Sequence, residues 1–216
     1  MTGNEMLANL GLRLEDPAES VFTSAAKLDS LNLGQKTVCN MVDNNYLAEL
    51  QTVVTGKGVS SGVCSYSDAF TSALSEQPIR NGIVGIRNTG STWCTMLEVG
   101  DAKRLENSYL AGTVSNPTAY VFNETIYVDN DDNSIDVWYL KSPTNLASGD
   151  PAGDVECELN PALQELVLDF AEAQLWRMDA KPERAAAAYS NALNVVKVLN
   201  ERYQVEKPEG IGTKGR

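Results

Sequence analysis

The stretch FAEAQLWRMDAKPERAAAAY, residues 170–189, has the pattern of one helix, a break and a second helix. Pro182 cannot continue a helix that began upstream, but proline is favoured at the first position of a new one. Because the connection is so short, the two helices must fold back antiparallel, and their apolar faces then need partners. The stretch therefore predicts a helical hairpin that other helices cover.

Both helices of this hairpin have broad apolar faces. Asn160 is the predicted N-cap of the first, with Pro161 at its first position. The predicted apolar positions of the two helices are, in chain order, Leu163, Leu166, Val167, Phe170, Ala173 and Trp176, then Ala185, Ala188, Tyr189, Ala192, Val195, Val196, Leu199 and Tyr203. Small alanine side chains at 185–188 would let another helix approach closely.

The N-terminal third supplies the comparable helical partners. Thr23 caps a predicted helix whose apolar residues recur at helical spacing, and a further helical run is predicted from Asn45 to Val54, ended by Gly56 and Gly58. We therefore predict a helical bundle formed by residues 1–57 and 155–203.

The middle of the chain has the pattern of strands. Residues 58–141 contain β-rich runs with predicted hairpin turns at Asn88-Thr89-Gly90 and at Asn123-Glu124, and a short helix is predicted within residues 100–112. Residues 142–154 are rich in Pro, Gly and Ser and predict a linker back to the bundle. The fold class predicted is α+β, a helical bundle from the N- and C-terminal helices with an inserted β-rich domain.

Composition argues against several classes of function. The chain has no histidine, which removes the commonest general base and the commonest metal ligand. Its four cysteines contain no C-x-x-C pair and are expected to be reduced, small apolar side chains: Cys39, Cys64, Cys94 and Cys157. With no secretory signal and no long apolar run, we expect a protein that stays in the cytoplasm of the cell that makes it, without a membrane partner.

The net charge of −12 is distributed along the chain, except that the last twenty residues carry more basic than acidic groups. An acidic surface repels nucleic acid, because counterion release requires Lys and Arg to contact the phosphates. We therefore expect DNA to pass this protein without specific binding.

Two loop motifs resemble ligand sites but lack essential members. Residues 129–136 begin like a calcium loop, yet Ser134 stands where glycine is needed and Leu140 where the bidentate glutamate is needed. Residues 55–62 lack the first glycine of a phosphate loop. We interpret them as an acidic turn and a flexible connection.

Three carboxylates, Glu165, Asp169 and Glu172, recur along one helical face. A catalytic or metal-binding pair would need burial or mutual crowding, whereas this face lies opposite the apolar one, so a solvated outer face is the favoured interpretation. Trp176 is interpreted as core or interface. An enzyme using Asp129, Asp131 or Glu172 is the less favoured alternative, so we predict no catalytic residues, no metal and no cofactor.

The sequence resembles the head-to-tail connector, or adaptor, proteins of tailed bacteriophages. The resemblance is carried by Arg13-Leu14-Glu15-Asp16-Pro17, by Thr23, and by Leu31-Asn32-Leu33-Gly34-Gln35. The run from Asn160 to Ala185 is similar as well, with its Asn-Pro start, AEAQLWRMD and Pro-Glu-Arg-Ala. Residues 106–128, ENSYLAGTVSNPTAYVFNETIYV, are similar to adaptors with an inserted β-domain. Glu15 stands where glycine is frequent in the family.

The resemblance implies a structural protein of the virion neck, assembled in the host bacterial cytoplasm. Its expected partners are the portal protein, further copies of itself in a ring of commonly twelve, and a tail or second neck protein. The ring would extend the channel through which genomic DNA passes.

Two sets of residues follow from this resemblance. Residues 204–216 are polar and Gly-rich, and we predict an extended tail that docks on the portal through Tyr203, Gln204, Val205, Lys207, Ile211, Lys214 and Arg216. Subunit packing is predicted for Phe170, Trp176, Ala185, Ala188, Tyr189, Ala192 and Val196.

A tail or baseplate component is the alternative function. Its β-domain would bind another virion protein or a host surface through strand aromatics, and the natural contacts would be Trp93, Tyr120, Tyr127, Trp138 and Tyr139.

Overall fold

The computed structural model describes residues 1–70, 77–88, 92–101, 112–113, 115–129, 134–149 and 153–206, without the side chains at 80, 81 and 203–206. The fold is α+β, with N-terminal and C-terminal helices flanking a β-rich middle, as predicted. The chain divides into two compact units. Unit 1 comprises Met1–Glu49 and the chain from Pro143 onward, and unit 2 comprises Leu50–Ser142.

Unit 1 is a bundle of four helices: α1 (Gly3–Arg13), α2 (Ser24–Met41), α4 (Pro161–Met178) and α5 (Pro182–Glu206). Helix α4 is the central one, because α1, α2 and α5 all pack against it. It is accordingly buried on more than one face, with Leu163, Leu166, Val167, Leu168, Phe170, Ala171, Ala173, Leu175 and Trp176 all in the core. The prediction that both chain ends form one bundle is confirmed.

The helix starts follow the capping chemistry of the sequence. Thr23 Oγ1 accepts a hydrogen bond from the Ala26 N–H, and Asn160 Oδ1 accepts one from the Ala162 N–H with Pro161 at the first helical position. Both predicted caps are therefore confirmed.

Two helix ends use a left-handed residue that is not glycine. Glu15 follows α1 with a φ of 56°, and Ala180 follows α4 with a φ of 54°. In each case the next N–H turns back to a helix carbonyl, from Asp16 to Gly11 and from Lys181 to Trp176, both at 2.9 Å. This backbone conformation explains why glycine would suit position 15.

The predicted helix from Asn45 to Val54 is wrong in its second half. A 3₁₀ helix spans Asn44–Leu50, and β1 (Gln51–Gly58) begins directly after it. The run Thr52-Val53-Val54 is β-branched and pairs with β7 (Ser134–Lys141), so tertiary pairing overrides the helical spacing. Unit 2 therefore begins at Leu50 and not at residue 58.

The described part of unit 2 contains two sheets and one short helix, α3 (Tyr66–Ala69). The first sheet has the order β1-β7-β3, with β3 spanning Pro78–Asn88. The second has the order β2-β6-β5-β4, formed by Val63–Ser65, Thr125–Asp129, Thr118–Phe122 and Thr95–Met96. All pairs are antiparallel except β4 with β5.

The core of unit 2 is formed by side chains at every second position along strands of both sheets. It includes Ile135, Val137 and Tyr139 of β7 and Ile126 and Val128 of β6. The hairpin predicted at Asn123-Glu124 is confirmed as the β5–β6 turn, with a positive φ at both residues. Residues 89–91 and 102–111, where the other turn and the short helix were predicted, lie outside the described residues.

The segment that follows β7 is not a free linker over its described part. Leu146 is buried, and its N–H and C=O are both bound by the side-chain amide of Asn32 on α2, at 2.7 and 3.2 Å. Gln35, one turn later, donates to the Thr144 carbonyl and accepts from the Cys157 thiol. The predicted linker thus forms part of unit 1.

Candidate functional site

The residues predicted for subunit packing lie mainly inside one protomer. Phe170, Trp176, Ala185, Ala192 and Val196 are buried, and Ala188 and Tyr189 are half-buried. The Phe170 and Tyr189 rings meet edge to face at 5.7 Å, where α4 packs on α5. The five buried residues therefore belong mainly to the core of one protomer, and Phe170 also borders the groove between α2 and α5.

Trp176 fixes the corner between α4 and α5. Its indole N–H donates to Glu172, and its ring meets Phe22 edge-on at 6.2 Å. Lys181 Nζ and Arg184 Cζ each lie 4.8 Å from the ring centroid, within cation–π range. The break in the quoted stretch is thus held by contacts of its own residues, in agreement with a packing role.

The carboxylate face of α4 is corrected from a solvated surface to a contact with α1. Arg13 binds Glu165 through Nη2 and Asp169 through Nη1 at 2.5 Å, and it lies 3.9 Å from Glu172. One guanidinium therefore balances several carboxylates, and Glu172 also accepts from Trp176. No pattern in the sequence indicates this contact, because Arg13 is far from α4 along the chain.

A groove and several exposed apolar side chains lie on α2 and α5. A groove between these helices is lined by Leu33, Gly34 and Thr37 of α2, by Gln174 and Arg177 of α4, and by Tyr189 of α5. Leu33 and Leu193 are exposed, as are Val195 and Val198 further along α5. These residues replace the buried ones as candidates for subunit packing.

The C-terminal part of α5 is tied to the end of α2. Asn200 accepts from the Asp43 N–H and donates to the Met41 carbonyl, both at 2.9 Å, and the Tyr46 hydroxyl donates to the Leu199 carbonyl at 2.8 Å. Asn200 thus satisfies backbone groups that the end of α2 leaves open. Sequence reasoning missed this role.

Helix α5 continues past the residue where the extended tail was predicted to begin. The backbone of Tyr203, Gln204 and Val205 belongs to the last turns of α5, which ends at Glu206. The start of the extended tail at residue 204 is therefore corrected. Lys207, Ile211, Lys214 and Arg216 lie outside the described residues.

Asp16 of the Asp-Pro motif organises the loop between α1 and α2. Its carboxylate accepts from the N–H groups of Ser20, Val21 and Phe22 and from the Ser20 hydroxyl, at 2.7–3.2 Å. These bonds, chiefly that from Phe22, hold the pKa of Asp16 far below its ordinary value despite burial. Lys27 is buried beside it, with Nζ 2.7 Å from the Asp16 carbonyl and 3.4 Å from Oδ2.

The Asp16–Lys27 pair borders the cleft along α1. The cleft has a volume of about 590 Å³, and its lining includes Leu7, Leu12 and Pro17. Lys27 is therefore held at the border of the cleft by both the carbonyl and the carboxylate of Asp16.

The five aromatic residues of unit 2 that were predicted as contacts lie in three places. Tyr139 lies in the core. Tyr120 and Tyr127 are cross-strand partners on β5 and β6 with parallel rings 4.6 Å apart. Trp93 and Trp138 form a separate pair, also at 4.6 Å. The structure therefore brings together two of the predicted contact pairs and removes Tyr139 from the surface.

Within the described part of the chain, no cluster of three or more His, Cys, Asp or Glu side chains could hold a metal ion. No helix described is long and apolar enough to cross a membrane. Comparisons with protein-family models and with curated proteins gave no match to this chain.

Proposed function

We propose that this chain is a structural head-to-tail connector of a tailed bacteriophage, a non-enzymatic neck protein that joins the portal vertex to the tail. The observation that carries the proposal is the C-terminal arm of the bundle. Helix α5 is anchored to α2 at Asn200 and continues to Glu206, so the segment that follows starts from a defined point. Such an arm is suited to reach a neighbouring ring.

The residues that carry the family resemblance have consistent structural roles. Asp16 orders the α1–α2 loop, Asn32 and Gln35 hold the segment around Leu146, and Trp176 fixes the hairpin corner. These contacts explain why the motif positions need those residue types. They support the proposal because the motif residues all make contacts that hold the same helical bundle together.

Ring formation would use the α2–α5 groove and the exposed apolar side chains of α5. Leu193, Val195 and Val198 are 39–47% exposed. Covering such side chains stabilises an interface by about 25 cal/mol per Å² of apolar area. The net charge of −12 suits a channel wall along which DNA slides without being held.

The test is binding of the purified chain to its cognate portal ring, followed by native mass spectrometry. We expect the full-length protein to bind, and a variant that ends at Tyr203 to bind at least tenfold more weakly. Phe122→Ala, an exposed change in unit 2, serves as the control and should bind like the wild type. Failure of the full-length protein to bind, or equal binding by the truncated variant, contradicts the proposal.

A second candidate function, a tail or baseplate component, is supported by the exposed aromatic side chains of unit 2. Trp93 and Phe122 are 55% and 54% exposed, which is unusual for rings that serve only the core. A gold-labelled tag inserted in the Asn123-Glu124 turn would separate the two functions. Label at the baseplate in images of virions favours the second, and label at the head–tail junction favours the first.

A further inference from the structure

An exposed tryptophan is held in place on the outer face of the three-stranded sheet. Trp93 is 55% exposed, and its backbone pairs with Arg87 of β3. A Cβ on Gly85 would lie 2.9 Å from Trp93 Cζ3, so glycine at this position lets the indole lie directly on the strand. The Trp138 ring is 4.6 Å away and inclined at 50°. The indole is therefore positioned before any ligand arrives.

A donor and an acceptor lie beside these rings. Arg87 Nη2 is 2.7 Å from Asp136 Oδ2, and the Arg87 guanidinium carbon is 4.9 Å from the centroid of the Trp138 ring. Asp136 also accepts from the Gly56 N–H of β1, which anchors it to all three strands of the sheet. The two formal charges cancel, so this patch is neutral on a protein whose net charge is −12.

We infer that Trp93, Trp138, Arg87 and Asp136, the indole platform, form a binding site for a neutral carbohydrate. One face of a pyranose ring presents C–H groups that can stack on the indole, and its rim presents hydroxyls that both donate and accept. A rigid aromatic surface with a few placed polar groups matches that ligand. The inference does not depend on the connector function.

The size of the platform favours a sugar over a protein partner. An aromatic side chain can bury up to about 250 Å², so the exposed part of Trp93 offers roughly 140 Å². Val53, which is opposite Trp138 on the same face, is 40% exposed and adds less. A stable protein interface buries about 800 Å² per partner, several times this area.

Charge decides against an ionic ligand. Arg87 is engaged with Asp136, and the Asp136 carboxylate would repel an anion that approached the same rings. A cation would compete with Arg87 for the carboxylate and for the Trp138 ring. A neutral polyhydroxylated ligand meets neither obstacle.

The experiment is a saturation-transfer NMR titration with neutral hexasaccharides of α-linked glucose, β-linked glucose, N-acetylglucosamine, mannose and galactose. We expect saturable binding of at least one of them, with a change in tryptophan fluorescence. Trp93→Ala should weaken that binding at least tenfold, and Trp93→Tyr should weaken it less. Phe122→Ala is the matched control, because Phe122 is equally exposed on the other sheet.

Three outcomes would overturn the inference. The first is that no hexasaccharide binds at about 10 mM. The second is that Phe122→Ala weakens binding as much as Trp93→Ala. The third is that Trp93→Ala abolishes binding of this chain to another virion protein while no sugar binds, which would make the platform a protein interface. Thermal melting of each variant checks that it is folded, and the exposed position of Trp93 makes its replacement compatible with folding.

Discussion

Asp16 has a structural task that its place in an Asp-Pro motif only partly indicates. Asp before proline is typical of a turn. The structure instead uses the carboxylate to gather N–H groups from Ser20 to Phe22, with Lys27 buried against it. One ionised side chain thereby fixes the connection between α1 and α2.

Asp16→Asn should therefore lower the stability of the bundle at neutral pH. The amide is a weaker acceptor for the loop N–H groups, and Lys27 loses its counter-charge in a buried position. Urea unfolding should show a larger loss than Asp29→Asn, the control at an exposed site on the same helix as Lys27.

The pH dependence of this difference has a definite sign. Because the pKa of Asp16 is depressed in the folded state, its contribution is fully present above the unfolded value of 3.8 and is lost as the pH falls toward the folded value. Wild type and Asp16→Asn should thus approach each other in stability below about pH 4. A gap that stays constant down to pH 2 would contradict this account.

At the scale of elements, α4 shows how far local pattern predicts a helix. Its N-cap, first proline and apolar positions are all readable in the sequence. Its contact with α1 is not, because the carboxylate face binds Arg13, which only the fold brings to it. Likewise the first half of β1, residues 51–54, was predicted as helix, since its strand conformation depends on pairing with β7, more than seventy residues later.

The end of α4 offers a direct test of backbone strain. Ala180 has a φ of 54°, a conformation that costs a residue with a Cβ about 1 kcal/mol or more. Ala180→Gly should therefore raise the free energy of unfolding by about 0.5–1 kcal/mol. Ala186→Gly, at an exposed site inside α5, should lower it by about 1 kcal/mol. Denaturant unfolding of both variants checks the prediction, and equal losses would contradict it.

At the scale of the whole molecule, the two positions where the chain enters and leaves unit 2 lie close together. Gln51 of β1 is the cross-strand partner of Leu140 of β7, so the entry and exit of the unit are one strand spacing apart. Each unit also has a core of its own. Because its two ends are so close, unit 2 can be inserted into one connection of the bundle without altering how the other helices are connected.

We therefore expect each unit to fold without the other. Replacing residues 50–142 with a short Gly-Ser linker should leave a helical protein with a cooperative thermal transition, and residues 50–142 alone should also unfold cooperatively. A fragment of residues 50–133 is the control and should fail to fold, because it lacks β7, the central strand of its sheet. Circular dichroism and calorimetry measure all three, and a non-cooperative transition in either unit would contradict the prediction.

The sequence predicted the fold class and the two-ended bundle because capping residues, prolines and apolar spacing are local signals. It missed long-range polar contacts, among them the bond from Asn200 of α5 to the end of α2 and the pair formed by Arg87 and Asp136. Each of these joins residues distant in the chain, and polar residues of this kind have no periodicity that marks a partner. Phe170 and Trp176 were predicted on an apolar helix face and also as subunit contacts, and they are buried within one protomer.

Burial of the thiols has a practical consequence. Cys39, Cys64, Cys94 and Cys157 are all the cysteines of the chain, and every one of them is buried. Burial also raises the pKa of the Cys64 and Cys157 thiols, which keeps them in the poorly nucleophilic form. A single cysteine introduced on the surface should thus react alone with a maleimide dye, so fluorescence work can begin from the natural protein without first replacing its own sulfhydryls.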